Sequence, residues 1–236
     1  MTTDKCSQKI IAVLAMALLF SVSGLAAKAQ NISPASDKPP VPRLGTAPDL
    51  SAWTIQYKYK QADPYPKATN PIDQKIYDKM RAAHPRLLLV QFVKAGARRK
   101  EVQQYADGTE TIRWLDGDIL TTDNRVSHSL QTFTAKESDI PFKDDFYTLE
   151  WVNQAGYVGR QDHNGVTCYV YHLKKSGDTD EQTAYVDVKT NLPAEIETGE
   201  AILDFTFGSS SDTLELPKDV AARLQAFRAS QVTHPG

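Results

Sequence analysis

Short segments in which apolar and polar residues alternate dominate the chain from residue 51 to residue 207. The segment 51–60, SAWTIQYKYK, places Trp53, Ile55, Tyr57 and Tyr59 on one face with polar residues between them. A period of two is typical of a β-strand with one buried face. Segments of this kind recur along the chain, and we predict about ten strands from their spacing.

Short turn sequences separate these segments. Asp107-Gly108, Asp116-Gly117 and Asn164-Gly165 are pairs that tolerate the positive φ of a tight hairpin. Asn191-Leu192-Pro193 interrupts the alternation of residues 183–207 in the same way. Strands joined by turns this short are antiparallel neighbours, because a parallel return needs a crossover of roughly a dozen residues or more. The pattern therefore predicts an antiparallel meander.

Two segments have helical periodicity instead. The first follows Asn70, a suitable N-cap, and Pro71, which fits the first helical position, and it ends before His84-Pro85. The second opens at Pro217. Each has one apolar stripe, so each is expected to lie against a sheet. The stripes are Ile72, Ile76 and Met80 in the first helix and Val220, Leu224 and Phe227 in the second.

The predicted fold is mainly β (α+β), with a strongly curved antiparallel sheet. About ten twisted strands cannot stay flat, so we expect an open or half barrel. The two amphipathic helices would pack on its concave side, and aromatic residues at alternating strand positions would make that concavity wide and apolar. The candidate ligand-binding residues are Trp53, Tyr57, Phe92, Trp114, Tyr169 and Phe205.

The first 29 residues have the pattern of a signal peptide. Lys5 and Lys9 precede the apolar stretch 10–27, and Ala27-Lys28-Ala29 supplies the small residues of a cleavage site. We predict cleavage and a periplasmic or secreted product with no integral membrane span. The alternative is an uncleaved anchor, since the stretch is close to the roughly 18 to 20 residues that span a bilayer. No Cys follows the stretch to carry a lipid anchor.

The remaining chain divides into a linker and one domain. Residues 30–49 contain five prolines and few bulky apolar residues, which favours an extended linker. Residues 50–230 form the predicted domain. Because residues 1–29 carry a net +2 of the total −2, the rest carries −4, which offers no electrostatic footprint for nucleic acid. Cys168 is the only cysteine left, so no internal disulfide is possible.

Motifs for catalysis or cofactor binding are absent from the sequence. It has no Gly-rich phosphate loop, no Gly-x-Ser-x-Gly and no His-Glu-x-x-His. Cys168 and His172 would lie roughly 13 Å apart on a strand, too far for one zinc ion. We expect no metal, no cofactor and no enzymatic activity. A hydrolase using His128 or His172 with a neighbouring Asp, and weak calcium binding at residues 176–182, remain alternatives.

The order of elements resembles the LolA-like superfamily of periplasmic lipoprotein carriers and sensors. Tyr185-Val186-Asp187, followed by Lys189-Thr190 and Leu192-Pro193, matches its recurrent element of strand, turn, Leu-Pro and strand. The resemblance covers the organisation of residues 50–215. It implies an open barrel, closed by helices, that binds lipid acyl chains or peptide, and for this chain we expect a lipid or lipoprotein acyl chain in the concavity. No residue that takes part in cargo transfer in that superfamily aligns with a position in this chain.

Two functions therefore remain open. The chain is an exported protein that binds an apolar ligand in the concavity, or a non-catalytic envelope protein with a filled core and a protein partner. The size and lining of the cavity discriminate between them.

Overall fold

The computed structural model describes residues 33–34, 51–63, 67–124, 127–134, 145–146, 149–176, 180–209 and 213–233. The predicted signal peptide lies outside these residues, as does the predicted linker apart from Ser33 and Pro34. Residues 177–179 of the candidate calcium segment are outside them too. Within the described ranges, no helix is both long and apolar enough to cross a membrane.

In the described part of the chain, one antiparallel sheet of twelve strands accompanies two α-helices and a 3₁₀ turn. The strands are β1 (Ser33–Pro34), β2 (Ala52–Tyr59), β3 (Leu87–Ala95), β4 (Arg98–Tyr105), β5 (Glu110–Asp116), β6 (Ile119–Asn124), β7 (Ser129–Thr134), β8 (Tyr157–His163), β9 (Val166–Leu173), β10 (Gln182–Asp187), β11 (Pro193–Glu197) and β12 (Ala201–Gly208). The helices are α1 (Pro71–Ala83) and α2 (Lys218–Thr233), and the 3₁₀ turn is Gln154–Gly156. The predicted mainly β fold with two helices is confirmed.

The sheet consists of two meanders joined side by side. Its order is β1-β8-β9-β10-β11-β12-β2-β3-β4-β5-β6-β7, so β2 to β7 and β8 to β12 each follow chain order. The two runs meet where β12 pairs with β2 over eight positions, from Ala201 opposite Tyr59 to Gly208 opposite Ala52. Strands β1 and β7 are the two edges, so the sheet is open.

The turn residues adopt the conformations that their sequences predict. Gly108, Gly117 and Gly165 have φ values of 81°, 68° and 82°. Asn164, which precedes Gly165, also has a positive φ of 51°. Two successive positive φ values are the requirement of the tight turn that matches strand twist.

Alternation along the strands divides the side chains between two faces. Trp53 lies directly opposite Phe92 on β3 and Phe207 on β12, so these three share a face. That face is called the concave face, because one buried cluster on it extends from Phe92 on β3 to Tyr171 on β9. The other side of the sheet is called the outer face.

Helix α2 packs on the outer face. Its Val220 and Leu224 are buried, and Val220 belongs to a cluster with Val102, Ile112 and Trp114. This position differs from the concave one expected from the sequence. On β4 and β5, Val102, Ile112 and Trp114 point to the outer face and form an apolar surface there, and this surface buries the stripe of α2.

Helix α1 has the predicted ends. Asn70 caps it by accepting a hydrogen bond from the Asp73 backbone at 2.8 Å, and Pro71 is its first residue. None of its side chains is buried. The stripe expected against a sheet is exposed, at 74% for Ile72, 48% for Ile76 and 40% for Met80.

Candidate functional site

An aromatic cluster occupies the centre of the concave face. The rings of Trp53 and Phe92 stack with centroids 4.6 Å apart, and Trp53 is only 2% exposed. Phe146 packs on the other side, 5.7 Å from the Trp53 ring and about 6 Å from Phe205 and Phe207, at 6.2 and 6.1 Å. The cluster is tightly packed at Trp53.

Five of the six predicted site residues lie on the concave face. Trp53 and Phe92 are buried there, and the other three are partly buried at the cluster's margin: Tyr57, Tyr169 and Phe205. Trp114 does not join them. Its neighbour Arg113 lies opposite Glu101, which lies opposite Phe92, so alternation places Trp114 on the outer face. The Trp114 ring packs with Val220 of α2 and does not line the concavity.

Residues 146, 149 and 152 pack on the concave face and were not predicted as part of the site. Phe146, Leu149 and Val152 are each at most 4% exposed and belong to the central cluster. Backbone hydrogen bonds of 2.9 Å link Leu149 to Phe146 and Val152 to Leu149. Such i to i+3 bonds form 3₁₀ turns, in which residues three apart eclipse one another. The sequence signal for this arrangement was the spacing of three between Phe146, Leu149 and Val152, which matches neither the period of a strand nor that of an α-helix.

Two carboxylates and three basic residues form ion pairs beside the aromatic cluster. Lys94 donates to Asp145 at 2.7 Å, and Arg99 lies 3.7 Å from the same carboxylate, whose side chain is 1% exposed. Arg113 donates to Glu101 at 2.9 Å. The concave face is thus apolar on β2, β3 and β9 to β12, and charged on β4 and β5.

A small cavity lies where the apolar and charged parts meet. Its volume is about 60 Å³. The apolar lining residues are Ile55, Tyr57, Leu87, Val90, Phe92, Phe146 and Phe205, and the polar ones are Glu101, Gln103 and Asp145. Sites for small molecules usually enclose about 300 to 1,000 Å³, so this cavity alone holds a few atoms of a ligand.

A larger groove lies at the C-terminal end of α1. It measures about 290 Å³ and is lined in part by Asp63, Arg81 and Arg86. Arg81 donates to Asp63 at 2.9 Å, and Arg86 donates to the carbonyls of residues 61 and 62. Ala62, Pro85 and Ala106 also line this groove, so its lining is mixed, and none of the six predicted site residues contributes to it.

Two of the histidines considered from the sequence, His163 and His172, lie beside carboxylates. His163 stacks on Tyr185 at 3.7 Å and lies 2.9 Å from a carboxylate oxygen of Glu195. His172 lies 2.8 Å from Glu181. His128 is a turn residue with a φ of 52°. Among the described residues, no group of three His, Cys, Asp or Glu side chains is placed to hold a metal ion.

The Cys168 thiol is expected to be inert in the folded protein. It is fully buried, and burial raises the pKa of Cys168 to about 11, with the Asp187 carboxylate acting in the same direction. Since the thiolate is the nucleophile, a thiol reagent should react very slowly at a pH near the ordinary thiol pKa of about 8.5. Reaction at the same rate before and after unfolding in guanidinium, followed by absorbance, would contradict this expectation.

Comparison with models of known protein families and with curated proteins gives no match. Among solved structures, the chain is similar to the Mycobacterium tuberculosis lipoprotein LppX, with a TM-score of 0.37 and 9% identity over 71% of this chain and 91% of LppX. It is also similar to a DUF1329 family protein from Desulfovibrio piger, with a TM-score of 0.26 and 11% identity over 70% of this chain and 88% of that one. At these values, neither similarity establishes a family or a function for this chain.

Proposed function

We propose that this protein is an exported, non-catalytic binding protein that holds an apolar molecule, a lipid or lipoprotein acyl chain, between the concave face and α1. The observation that carries the proposal is the exposed apolar stripe of α1, a helix that connects β2 and β3, two strands whose concave-face apolar residues are only partly covered near α1. The resemblance of the sequence to the LolA-like superfamily implies the same function.

The apolar side chains of the concave face differ in how far other residues cover them. Trp53 and Phe92 are buried beneath Phe146, whereas Tyr57 and Leu87 are only partly buried. Helix α1 connects the end of β2 to the start of β3. Tyr57 lies near the end of β2 and Leu87 is the first residue of β3, so both lie at the strand ends that α1 connects. Partly exposed apolar surface on the sheet is thus linked by short segments to the exposed stripe of α1.

Exposed apolar surfaces of this kind tend to mark binding sites. Three large apolar side chains in register on one helix face form a contiguous patch, which is typical of interaction surfaces. Each square ångström of apolar surface removed from water contributes about 25 cal/mol. A ligand lying between the stripe and the sheet would bury both surfaces at once. Because the cavity itself is small, most of the ligand would lie beneath α1.

Replacement of Ile76 and Met80 together by glutamine is expected to weaken binding of an apolar probe roughly thirtyfold, since each side chain contributes on the order of 1 kcal/mol of apolar burial. The probe is laurdan, a neutral dye with a lauroyl chain and no hydrogen-bond donor, and its affinity is measured by fluorescence titration of the full chain. Native mass spectrometry of the purified protein checks for co-purified lipid.

The matched control places glutamine at Lys75 and Lys79, which are exposed one position earlier on the same helix. This control should bind laurdan as the unchanged protein does. Equal affinities for both double variants, with circular dichroism unchanged, would contradict a role for the stripe in ligand binding.

A second candidate is a non-catalytic envelope protein whose α1 stripe docks on a protein partner. It is favoured by the packing of Phe146, Leu149 and Val152 on the concave face, where the cavity lined by described residues measures about 60 Å³. The same titration separates the two functions. A folded protein that binds no laurdan and carries no lipid would favour the second.

A further inference from the structure

We propose that Glu101 recognises the polar end of the ligand, and that this ligand is a single-chain amphiphile whose head group donates a hydrogen bond, such as a hydroxyl or an amide. The proposal rests on the proposed binding of an apolar chain at the concave face. It adds the head-group chemistry that the site selects.

One of the two carboxylate oxygens of Glu101 accepts hydrogen bonds from the protein, and the other accepts none from the described residues. Arg113 donates to Oε1 at 2.9 Å, and Gln103 donates to the same oxygen at 2.7 Å. Oε2 is buried and has no hydrogen-bond partner among the described residues. The whole residue is 3% exposed, so bulk water does not reach this oxygen.

A buried acceptor without a donor is unusual, and in a native protein it points to a missing partner. Glu101 lines the 60 Å³ cavity, so the missing donor can be supplied there. Gln103 is held in place by Tyr105, whose hydroxyl donates to Gln103 Oε1 at 2.8 Å. The polar end of the cavity is therefore fixed before any ligand arrives.

The charges around the cavity disfavour an anionic head group. Glu101 and Asp145 both line the cavity. The three nearest basic residues do not line the cavity, and they already pair with these carboxylates: Arg113 with Glu101, and Lys94 and Arg99 with Asp145. A ligand carboxylate or phosphate would thus meet two carboxylates of the protein. A neutral donor meets one free acceptor and no opposing charge.

The rest of the cavity suits an alkyl chain. Tyr57, Leu87 and Phe205 line it and are only partly buried. Tyr57 and Leu87 lie at the end of the sheet that α1 connects. A chain that starts at Glu101 would leave the cavity past these residues and continue beneath the stripe of α1.

The test compares two ligands that differ only in the donor, dodecanol and dodecyl methyl ether, as competitors of laurdan on the full chain. Dodecanol should displace laurdan at about tenfold lower concentration than the ether, because only dodecanol pairs with the unsatisfied oxygen. Dodecanoate, ionised at a pH well above its carboxyl pKa, should be the weakest competitor of the three.

Replacing Glu101 by glutamine (E101Q) should reduce the preference for dodecanol over the ether to less than about threefold, because an amide N–H replaces the acceptor at the Oε2 position. The laurdan affinity of the variant is measured by direct titration, and the dissociation constant of each competitor is calculated from that value. The matched control is Glu110→Gln, which removes the same charge from β5 on the outer face and should keep the full preference.

The possible failures are distinct. If the unchanged protein binds no laurdan, the proposed function itself is overturned. If it binds laurdan but dodecanol and the ether compete equally, the head-group proposal is overturned, and a buried water molecule is the donor to Glu101 Oε2. Retention of the dodecanol preference in Glu101→Gln would also overturn it. Because the comparison in the unchanged protein needs no substitution, the proposal is tested even if the variant fails to fold.

Discussion

Replacement of Trp53 by alanine is expected to lower the free energy of unfolding by about 3–5 kcal/mol. Trp53 is 2% exposed, stacks on Phe92 and contacts Phe146. Its removal takes away the ring that Phe92 and Phe146 both pack against, and the rigid sheet cannot collapse to fill the space. Guanidinium unfolding followed by circular dichroism measures the loss as a lower midpoint with an unchanged slope.

The control for Trp53 is Ile72→Ala in α1. Ile72 is also large and apolar, but it is 74% exposed. Its replacement should change the free energy of unfolding by no more than about 0.5 kcal/mol, as is usual for surface positions. If the two variants lose similar stability, then either Trp53 is not central to the core or the stripe of α1 is buried in solution.

Replacement of Asp145 by alanine is expected to cost about 3–5 kcal/mol, for an electrostatic reason. The Asp145 carboxylate lies 2.7 Å from the Lys94 ammonium and 3.7 Å from the Arg99 guanidinium, and the exposures of these two basic side chains are 10% and 5%. Its loss leaves buried positive charge without compensation. Since Phe146 follows Asp145 directly, the same ion pair holds the segment that covers Trp53.

Asp116→Ala is the control for Asp145, because it breaks an ion pair that is open to solvent. Asp116 accepts from Arg228 at 2.9 Å, and these side chains are 29% and 51% exposed. Such pairs contribute about 0–1 kcal/mol and weaken as salt screens them. Chemical unfolding at low and high salt should give a large, salt-insensitive loss for Asp145→Ala and a small loss for Asp116→Ala. Equal small losses would show that Asp145 is solvated.

Local patterns predicted the elements well where the physical cause is local. The alternation of residues 51–60 corresponds to β2, and Asn164-Gly165 forms the turn between β8 and β9 with positive φ at both residues. Asn70 caps α1 as expected. Strand pleat, turn geometry and capping depend on residues within a few positions of each other, so they can be read directly from the sequence.

The candidate site could be predicted only in part. Alternation shows which residues share a face with Trp53 within β2 and which share a face with Trp114 within β5. It does not show whether these two faces lie on the same side of the sheet. That depends on register across three strand pairs, through Phe92, Glu101 and Arg113. A shift of one residue in any register would exchange the faces. Trp114 therefore lies with α2, away from the predicted site.

The amino-acid sequence by itself determined the strands, their antiparallel turns and the ends of α1, because each depends on short-range geometry and hydrogen bonding. Tertiary structure decided that β12 pairs with β2 and that Phe146 covers Trp53. It also decided that the stripe of α1 remains exposed while that of α2 is buried. These outcomes join residues far apart in the chain, and they depend on which apolar surfaces compete for the same neighbours. Two stripes with the same periodicity can therefore end in different environments.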